Sequence, residues 1–148
     1  MIIAIDGPSA SGKSTTAKGV SEVLSILYID TGAMYRALTY GFIKEMIDLN
    51  NSREIKKYLS NVDVNFNSKN EICLNNRSLS LEIRSKNITS KVSSVSAISS
   101  VRDKMVKLQR KIAEGKSCIL EGRDIGTVVF PHAKYKFFMS AELKDRAE

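Results

Sequence analysis

The sequence predicts an α/β protein: a three-layer α/β/α domain with a parallel sheet and a small inserted antiparallel β/α subdomain. Three observations predict this fold. Short apolar runs alternate with segments of helical periodicity, as in parallel α/β folds. Residues 7–14 read GPSASGKS and match the phosphate-binding pattern G-x-x-x-x-G-K-[ST] between such a run and such a helix. Between residues 61 and 85 the period changes to two, which is typical of an antiparallel hairpin with one solvated face.

The first elements follow from this periodicity. A buried strand over residues 2–5 precedes the phosphate loop, and an amphipathic helix runs to residue 24. The residues expected to give it this character are Thr15, Thr16, Ala17, Val20, Val23 and Leu24. A second strand covers 27–29, and apolar residues up to Met46 and Ile47 predict a helix over 33–48. A shorter helix is predicted over 53–59.

The second half of the chain contains the insertion and the return to the core. The hairpin is followed by a short helix and loop over 87–100, then by a clear helix over 101–114. Strands are predicted over 117–120 and 134–139, and a helix begins at 142. We therefore expect a discontinuous core domain, 1–60 and 98–148, interrupted by an inserted subdomain, 61–97.

Composition bounds the class of protein. The 148 residues suffice for one domain with a sizeable core, and 43% of them are hydrophobic. No apolar run has the length of a membrane span, and no signal peptide precedes Asp6, so we expect a cytoplasmic protein without a membrane partner. The two cysteines, Cys73 and Cys118, form neither a disulfide framework nor a metal motif.

The net charge of +7 has two interpretations. A basic surface can bind nucleic acid, and a basic cleft can bind several phosphate groups at once. The five Phe and five Tyr lie mostly inside apolar runs, and Trp is absent from the sequence, which counts against a stacking surface for bases. The arginines described below favour the phosphate cleft.

The phosphate loop carries the first chemical site. Gly7 and Gly12 let backbone N–H groups approach phosphate oxygens, and the following helix N-terminus adds a positive partial charge. Lys13 can bridge the β- and γ-phosphates, and the Ser14 hydroxyl can bind Mg²⁺. The predicted cofactors are therefore ATP and Mg²⁺. The residues expected to contact phosphate are Gly7, Pro8, Ser9, Ala10, Ser11, Gly12, Lys13, Ser14 and Thr15.

Two further groups lie where predicted strands end. Asp30 and Thr31 follow the second strand, with Arg36 on the next helix, and Arg123 and Asp124 follow the third. Because carboxyl ends of parallel strands face the ligand crevice, these residues are expected beside the phosphate loop. The alternatives are a solvated Arg36 and a surface ion pair of Arg123 with Asp124.

Four segments together resemble the bacterial cytidylate kinases. They read GPSASGKST, YIDTGAMYRA, VRDKMVKLQR and EGRDIGTVVFP, in register over the whole chain. The resemblance implies transfer of the ATP γ-phosphoryl group to CMP or dCMP with Mg²⁺. It also implies a role for each matching residue. Lys13, Arg36 and Arg123 would be catalytic, Asp30 and Thr31 would line the CMP site, Arg36 and Arg123 would hold the CMP phosphate, and Ser93, Arg102 and Asp124 would read cytosine.

Members of that family continue beyond the point where this sequence stops. The resemblance therefore implies that a mobile lid and a last core strand and helix are lacking here. A monomer without a nucleic-acid partner is expected. Two alternatives remain open at this stage: another small-molecule kinase with the same loop, and a non-catalytic, ATP-binding module with a basic nucleic-acid surface.

Overall fold

A computed structural model describes residues 1–141, so the helix expected from residue 142 lies outside the described residues. The strands are β1 (Ile2–Asp6), β2 (Leu27–Asp30), β3 (Val64–Phe66), β4 (Ile72–Leu74), β5 (Arg77–Ser78), β6 (Cys118–Gly122) and β7 (Tyr135–Phe138). The α-helices are α1 (Lys13–Leu24), α2 (Thr31–Lys44), α3 (Ser52–Asn61), α4 (Lys86–Ser96) and α5 (Ser99–Ala113). A 3₁₀ turn covers Glu82–Arg84, and a π-helical turn covers Ile125–Val129.

The chain divides into two compact units. The first contains Met1–Thr31 and Gln109–Glu148, and the second contains Gly32–Leu108. The insertion predicted over 61–97 lies within the second unit, and its exact boundaries stay a prediction. A parallel sheet in one unit and a small antiparallel sheet in the other confirm the predicted α/β class.

The first unit is built on a four-stranded parallel sheet in the order β2-β6-β1-β7. Its register aligns the strand ends: Asp30 lies opposite Glu121, and Asp6 lies opposite both Gly122 and Phe138. The carboxyl ends of the four strands therefore meet at one edge. The phosphate loop begins at this edge, immediately after β1.

Helix α1 packs on one face of this sheet. Ala17 is fully buried against Ile3, Ile5 and Ile119. The prediction that Val23 shares this apolar side is wrong, because Val23 is 84% exposed. At 3.6 residues per turn Val23 lies roughly 120° around the helix from Ala17, outside the buried stripe.

The second unit contains α2, α3, α4, most of α5 and the antiparallel sheet β3-β4-β5. Asn51 caps α3 by accepting the N–H of Glu54 at 3.1 Å. Phe42 and Tyr58 join α2 to α3, with ring centroids 5.2 Å apart. Helix α2 ends at Lys44, earlier than predicted, because the chain turns at Met46, whose φ is +52° and whose side chain is exposed.

None of the helices within residues 1–141 combines the length and the apolar character that crossing a membrane requires.

Candidate active site

The phosphate loop connects β1 to α1, and its two glycines are needed for different reasons. A Cβ on Gly7 would overlap the backbone oxygen of Met139, whose N–H donates to Asp6 O at 2.8 Å. Gly12 has more space, but its φ of +83° is left-handed. The loop is thus fixed at one end by the neighbouring strand β7 and at the other by the start of α1.

Lys13 lies against the loop that precedes it. Its Nζ donates to the Pro8 carbonyl and to Ser11 Oγ, the latter at 3.3 Å. Ser11 Oγ in turn donates to Pro8 O at 2.9 Å. The ammonium is therefore held over the loop by oxygen atoms, the same kind of atom that a phosphate would offer it.

Ser14 and Tyr28 converge on the carboxylate of Glu121. Ser14 Oγ donates to Glu121 Oε2 at 2.9 Å, and the Tyr28 hydroxyl donates to Oε1. Glu121 is the second-last residue of β6 and is only 5% exposed. Burial raises the pKa of the Tyr28 phenol, and the hydrogen bond to Glu121 and the charge of Asp30 raise it further, so the phenol stays a donor.

The backbone at Glu121 is fixed as well. Thr31 Oγ1 donates to Glu121 O at 2.6 Å, which ties the beginning of α2 to the end of β6. A Cβ on the following Gly122 would lie 2.8 Å from Thr31 Oγ1 and from the side chain of Ile125. Glycine is therefore needed where β6 leads through Arg123 and Asp124 into the turn that follows them.

Asp6 holds the other side of that turn. Its Oδ1 accepts the N–H of Ile125 and its Oδ2 accepts the N–H of Gly126, each at 2.8 Å. The turn is the π-helical segment, which Asp124 precedes, and Asp124 O accepts the N–H of Val128 at 2.8 Å. The carboxylate that ends β1 therefore positions the residues that follow β6.

Arg123 reaches the phosphate loop directly, because its Nη2 donates to Ser9 Oγ. The first unit thus brings the loop together with Asp30, Thr31, Arg123 and Asp124 at one sheet edge, as the sequence predicts for their common side. The other predicted residues belong to the second unit. Arg36 is half-buried on α2, and Ser93 on α4 and Arg102 on α5 are exposed.

The comparisons with known proteins decide the family. The family model described as "Cytidylate kinase" matches residues 3–148. The cytidylate kinase of Halalkalibacterium halodurans is 46% identical over 99% of this chain and 68% of the relative, and that of Clostridioides difficile is 49% identical over 99% and 67%. This chain belongs to the cytidylate kinase family.

A bifunctional pantoate ligase/cytidylate kinase of Prochlorococcus marinus is 46% identical over 99% of this chain but only 30% of the relative. The chain therefore spans about two thirds of the single-function cytidylate kinases and under a third of the bifunctional one. In each case the alignment covers 99% of this chain, including the strands of the described sheet.

Three residues of the site were not predicted from the sequence: Asp6, Tyr28 and Glu121. Each had a signal. Asp6 and Glu121 are acidic residues that end apolar runs, and both proved to be buried. Tyr28 stands two residues before Asp30, and side chains at that spacing share one face of a strand. What the sequence lacks is the strand order, which places β2 beside β6.

Proposed function

We propose that this chain binds ATP at the loop of residues 7–14 and transfers its γ-phosphoryl group to CMP or dCMP. One observation carries the proposal most directly. Arg123, the expected ligand of the acceptor phosphate, donates a hydrogen bond to Ser9 of the ATP loop. A residue for each of the two reacting phosphates therefore lies at the same edge of one sheet.

The loop fits a nucleoside triphosphate. Gly7 allows a close approach of backbone, Gly12 supplies the left-handed turn before α1, and Lys13 is held over the loop. Phosphate oxygens would take the place of Pro8 O and Ser11 Oγ as partners of the ammonium. A compact ammonium and the helix N-terminus both favour the negative charge of the β- and γ-phosphates.

The same edge fits a magnesium ion. Ser14 Oγ gives its hydrogen to Glu121, so its lone pairs are available to a cation. Mg²⁺ prefers oxygen ligands and usually combines one or two protein groups with waters and substrate phosphates. Within residues 1–141 no three His, Cys, Asp or Glu side chains form a cluster that could hold a metal alone. When bound, the ion would neutralise charge on the transferring phosphoryl group.

The acceptor is expected to be held by arginines and read by polar side chains. Arg36 and Arg123 would bind the CMP phosphate, since guanidinium groups bind phosphate in a bidentate, charge-assisted way. Asp124 would accept from the exocyclic amine of cytosine, and Arg102 would donate to its ring nitrogen and carbonyl. Ser93 and Thr31 would complete the contacts. Asp30 would orient either the metal shell or the acceptor.

This division of roles requires little covalent chemistry from the protein. The phosphate of CMP is already an anionic nucleophile, so a general base is unnecessary. The catalytic task is to align two phosphates and to offset their charge, with Lys13, Arg36 and Arg123 as the cationic residues. We also propose that its partners are small molecules only, that the chain is a monomer and that it is located in the cytoplasm.

Nucleotide binding and transfer test this proposal on the chain as it stands. CMP should raise the melting temperature and UMP should raise it less, because only cytosine offers an exocyclic amine to Asp124. In a transfer assay with ATP and CMP, Lys13→Ala should lower kcat by about 100-fold or more, as for other groups that stabilise transition-state charge. Lys116→Ala, on an exposed lysine before the amino end of β6, is the matched control.

The alternatives give different results. Equal stabilisation by CMP, UMP and AMP, or preference for a non-nucleotide acceptor, would indicate another small-molecule kinase. Steeply salt-dependent binding of single-stranded RNA without transfer would indicate the basic binding module. A near-wild-type rate for Lys13→Ala would contradict the assignment of the phosphate loop.

A further inference from the structure

The carboxylate of Glu121 is held at both oxygen atoms by side chains from two other elements. Ser14, in the first turn of α1, donates to Oε2 at 2.9 Å, and Tyr28, on β2, donates to Oε1. Glu121 itself is 5% exposed. Two hydroxyls therefore determine the orientation of one buried carboxylate at the edge of the sheet where the phosphate loop begins.

The charge of this arrangement is not balanced by its hydrogen bonds. Both partners of the carboxylate are neutral hydroxyl groups, and a buried charge is ordinarily paired with an opposite charge or coordinates a metal. Ser14, which takes part in the same arrangement, is exposed on its other side. A cation bound at the Ser14 oxygen would place a positive charge beside this carboxylate.

Tyr28 is itself held in place. It lies on β2, opposite Ile119 of β6, so its side chain and that of Glu121 share the face on which α1 packs. Lys18 Nζ of α1 lies 5.8 Å from the centre of its ring. The phenol is thus fixed between a strand and a helix, with its hydroxyl donating to Glu121.

We propose that Tyr28 is a positioning residue for the metal–nucleotide site, acting through Glu121 on Ser14. Its hydroxyl holds one oxygen of Glu121, so that the other oxygen accepts the Ser14 hydrogen and the Ser14 lone pairs face the cation. Outer-sphere partners of this kind orient a metal ligand without touching the metal. The inference rests on the proposed function, because it assumes that ATP binds with a divalent cation at this loop.

The test measures how strongly Mg²⁺ enhances ATP binding. ATP affinity is determined by calorimetry in excess MgCl₂ and in EDTA, and the ratio of the two affinities is compared between the wild type and Tyr28→Phe. We expect the ratio to fall about tenfold, the lower end of the effect of removing an outer-sphere partner. The affinity in EDTA should change little, because the proposed role of Tyr28 concerns the cation and not the phosphates. Binding of Mn²⁺ followed by electron paramagnetic resonance gives a second readout of the cation itself.

A double-mutant cycle identifies the route. Glu121→Gln keeps the size of the side chain but leaves one oxygen to serve two hydroxyl donors. If Tyr28 acts through Glu121, adding Tyr28→Phe to Glu121→Gln should lower the ratio by much less than the single substitution does. Tyr135→Phe, on the exposed edge strand β7, is the control for loss of a tyrosine hydroxyl.

Each outcome separates this inference from the function on which it rests. If the wild type fails to bind ATP, or binds it equally with and without Mg²⁺, the proposed function fails first. If the wild type depends on Mg²⁺ and Tyr28→Phe has the same ratio, or if both affinities fall equally, the positioning role is overturned. Should Tyr28→Phe melt below the assay temperature, an unchanged ratio in Glu121→Gln overturns it as well.

Discussion

Asp6 Oδ2 accepts the N–H of Gly126 at 2.8 Å, and this contact joins the end of β1 to the turn that follows β6. The other oxygen accepts the N–H of Ile125 at the same distance. Asp6 is also the residue before the phosphate loop. One carboxylate therefore links the donor-phosphate loop to the turn that directly follows Arg123 and Asp124, the two residues expected to hold the acceptor.

Replacing Asp6 by Asn should destabilise the first unit. An amide offers one acceptor oxygen and one NH₂ group, so one of the two buried N–H groups would face another donor. Leaving such a group unsatisfied costs about 1–3 kcal/mol. Urea denaturation at neutral pH measures the loss as a lower midpoint with an unchanged slope.

The control for this substitution is Asp48→Asn. Asp48 is exposed, and its side chain accepts the N–H of Asn50 at 2.9 Å, which an Asn oxygen can also accept. Its midpoint should stay close to that of the wild type. Equal midpoints for Asp6→Asn and the wild type would mean that the clamp on the turn contributes nothing to stability.

Alanine substitutions at Gly7, in the phosphate loop, and at Gly19, in α1, should change the stability of the protein in opposite directions. At Gly7 a methyl group would overlap Met139 O, a backbone atom that cannot rotate away, so Gly7→Ala should cost about 1–3 kcal/mol and weaken ATP binding. At Gly19, within α1, an added Cβ meets nothing within 4 Å. Gly19→Ala should therefore stabilise the protein by about 0.5–1 kcal/mol.

Thermal or urea unfolding of the two variants, together with ATP titration, checks this pair. Gly19→Ala should bind ATP like the wild type, which separates an effect at the loop from one on α1 in general. A stable Gly7→Ala variant with full ATP affinity would show that β7 and the loop can move apart without loss.

The strands and helices could be predicted from the sequence because each depends on local periodicity. The apolar run at 2–5 and the stripe from Val101 to Ile112 identify their elements without reference to distant residues. The hydrogen bonds of Glu121 could not be predicted in this way. Tyr28 and Glu121 are 93 positions apart and meet only because β2 pairs with β6. At Met46 the local pattern itself misled the prediction, because an apolar residue extended the helical periodicity past the point where the backbone turns.

Tyr58 should make the second unit lose stability as the pH rises into the alkaline range. Burial, and then the charge of Glu45, raises the pKa of its phenol to about 12. An unfolded tyrosine ionises near pH 10, so the stabilising contribution is complete below about pH 10 and is lost as the pH rises towards 12. The unfolding free energy should therefore fall less steeply above about pH 10 in Tyr58→Phe than in the wild type.

Chemical denaturation at a series of alkaline pH values measures this difference. The informative quantity is how the difference in unfolding free energy between variant and wild type changes with pH, since other groups also titrate in this range. Tyr135→Phe, in the first unit, provides the curve expected for removal of an exposed hydroxyl. Parallel curves for Tyr58→Phe and the wild type would refute the linkage.

Asp124→Asn should narrow the preference for CMP over UMP. The carboxylate can accept from the exocyclic amine of cytosine, whereas uracil presents a carbonyl oxygen at that position. An Asn amide can donate to the uracil carbonyl, so the variant should lose affinity for CMP and gain some for UMP. The Asn oxygen can still accept from the cytosine amine, but without the charge, so the hydrogen bond weakens from about 1.5–3 to about 0.5–1.5 kcal/mol, roughly a tenfold loss of affinity for CMP. Because Asp124 precedes the turn clamped by Asp6, the loss should concern the base and leave the Arg123–Ser9 contact intact. Calorimetric titration of both nucleotides, with ATP affinity as the internal reference, tests this, and an unchanged CMP-to-UMP ratio would remove Asp124 from base recognition.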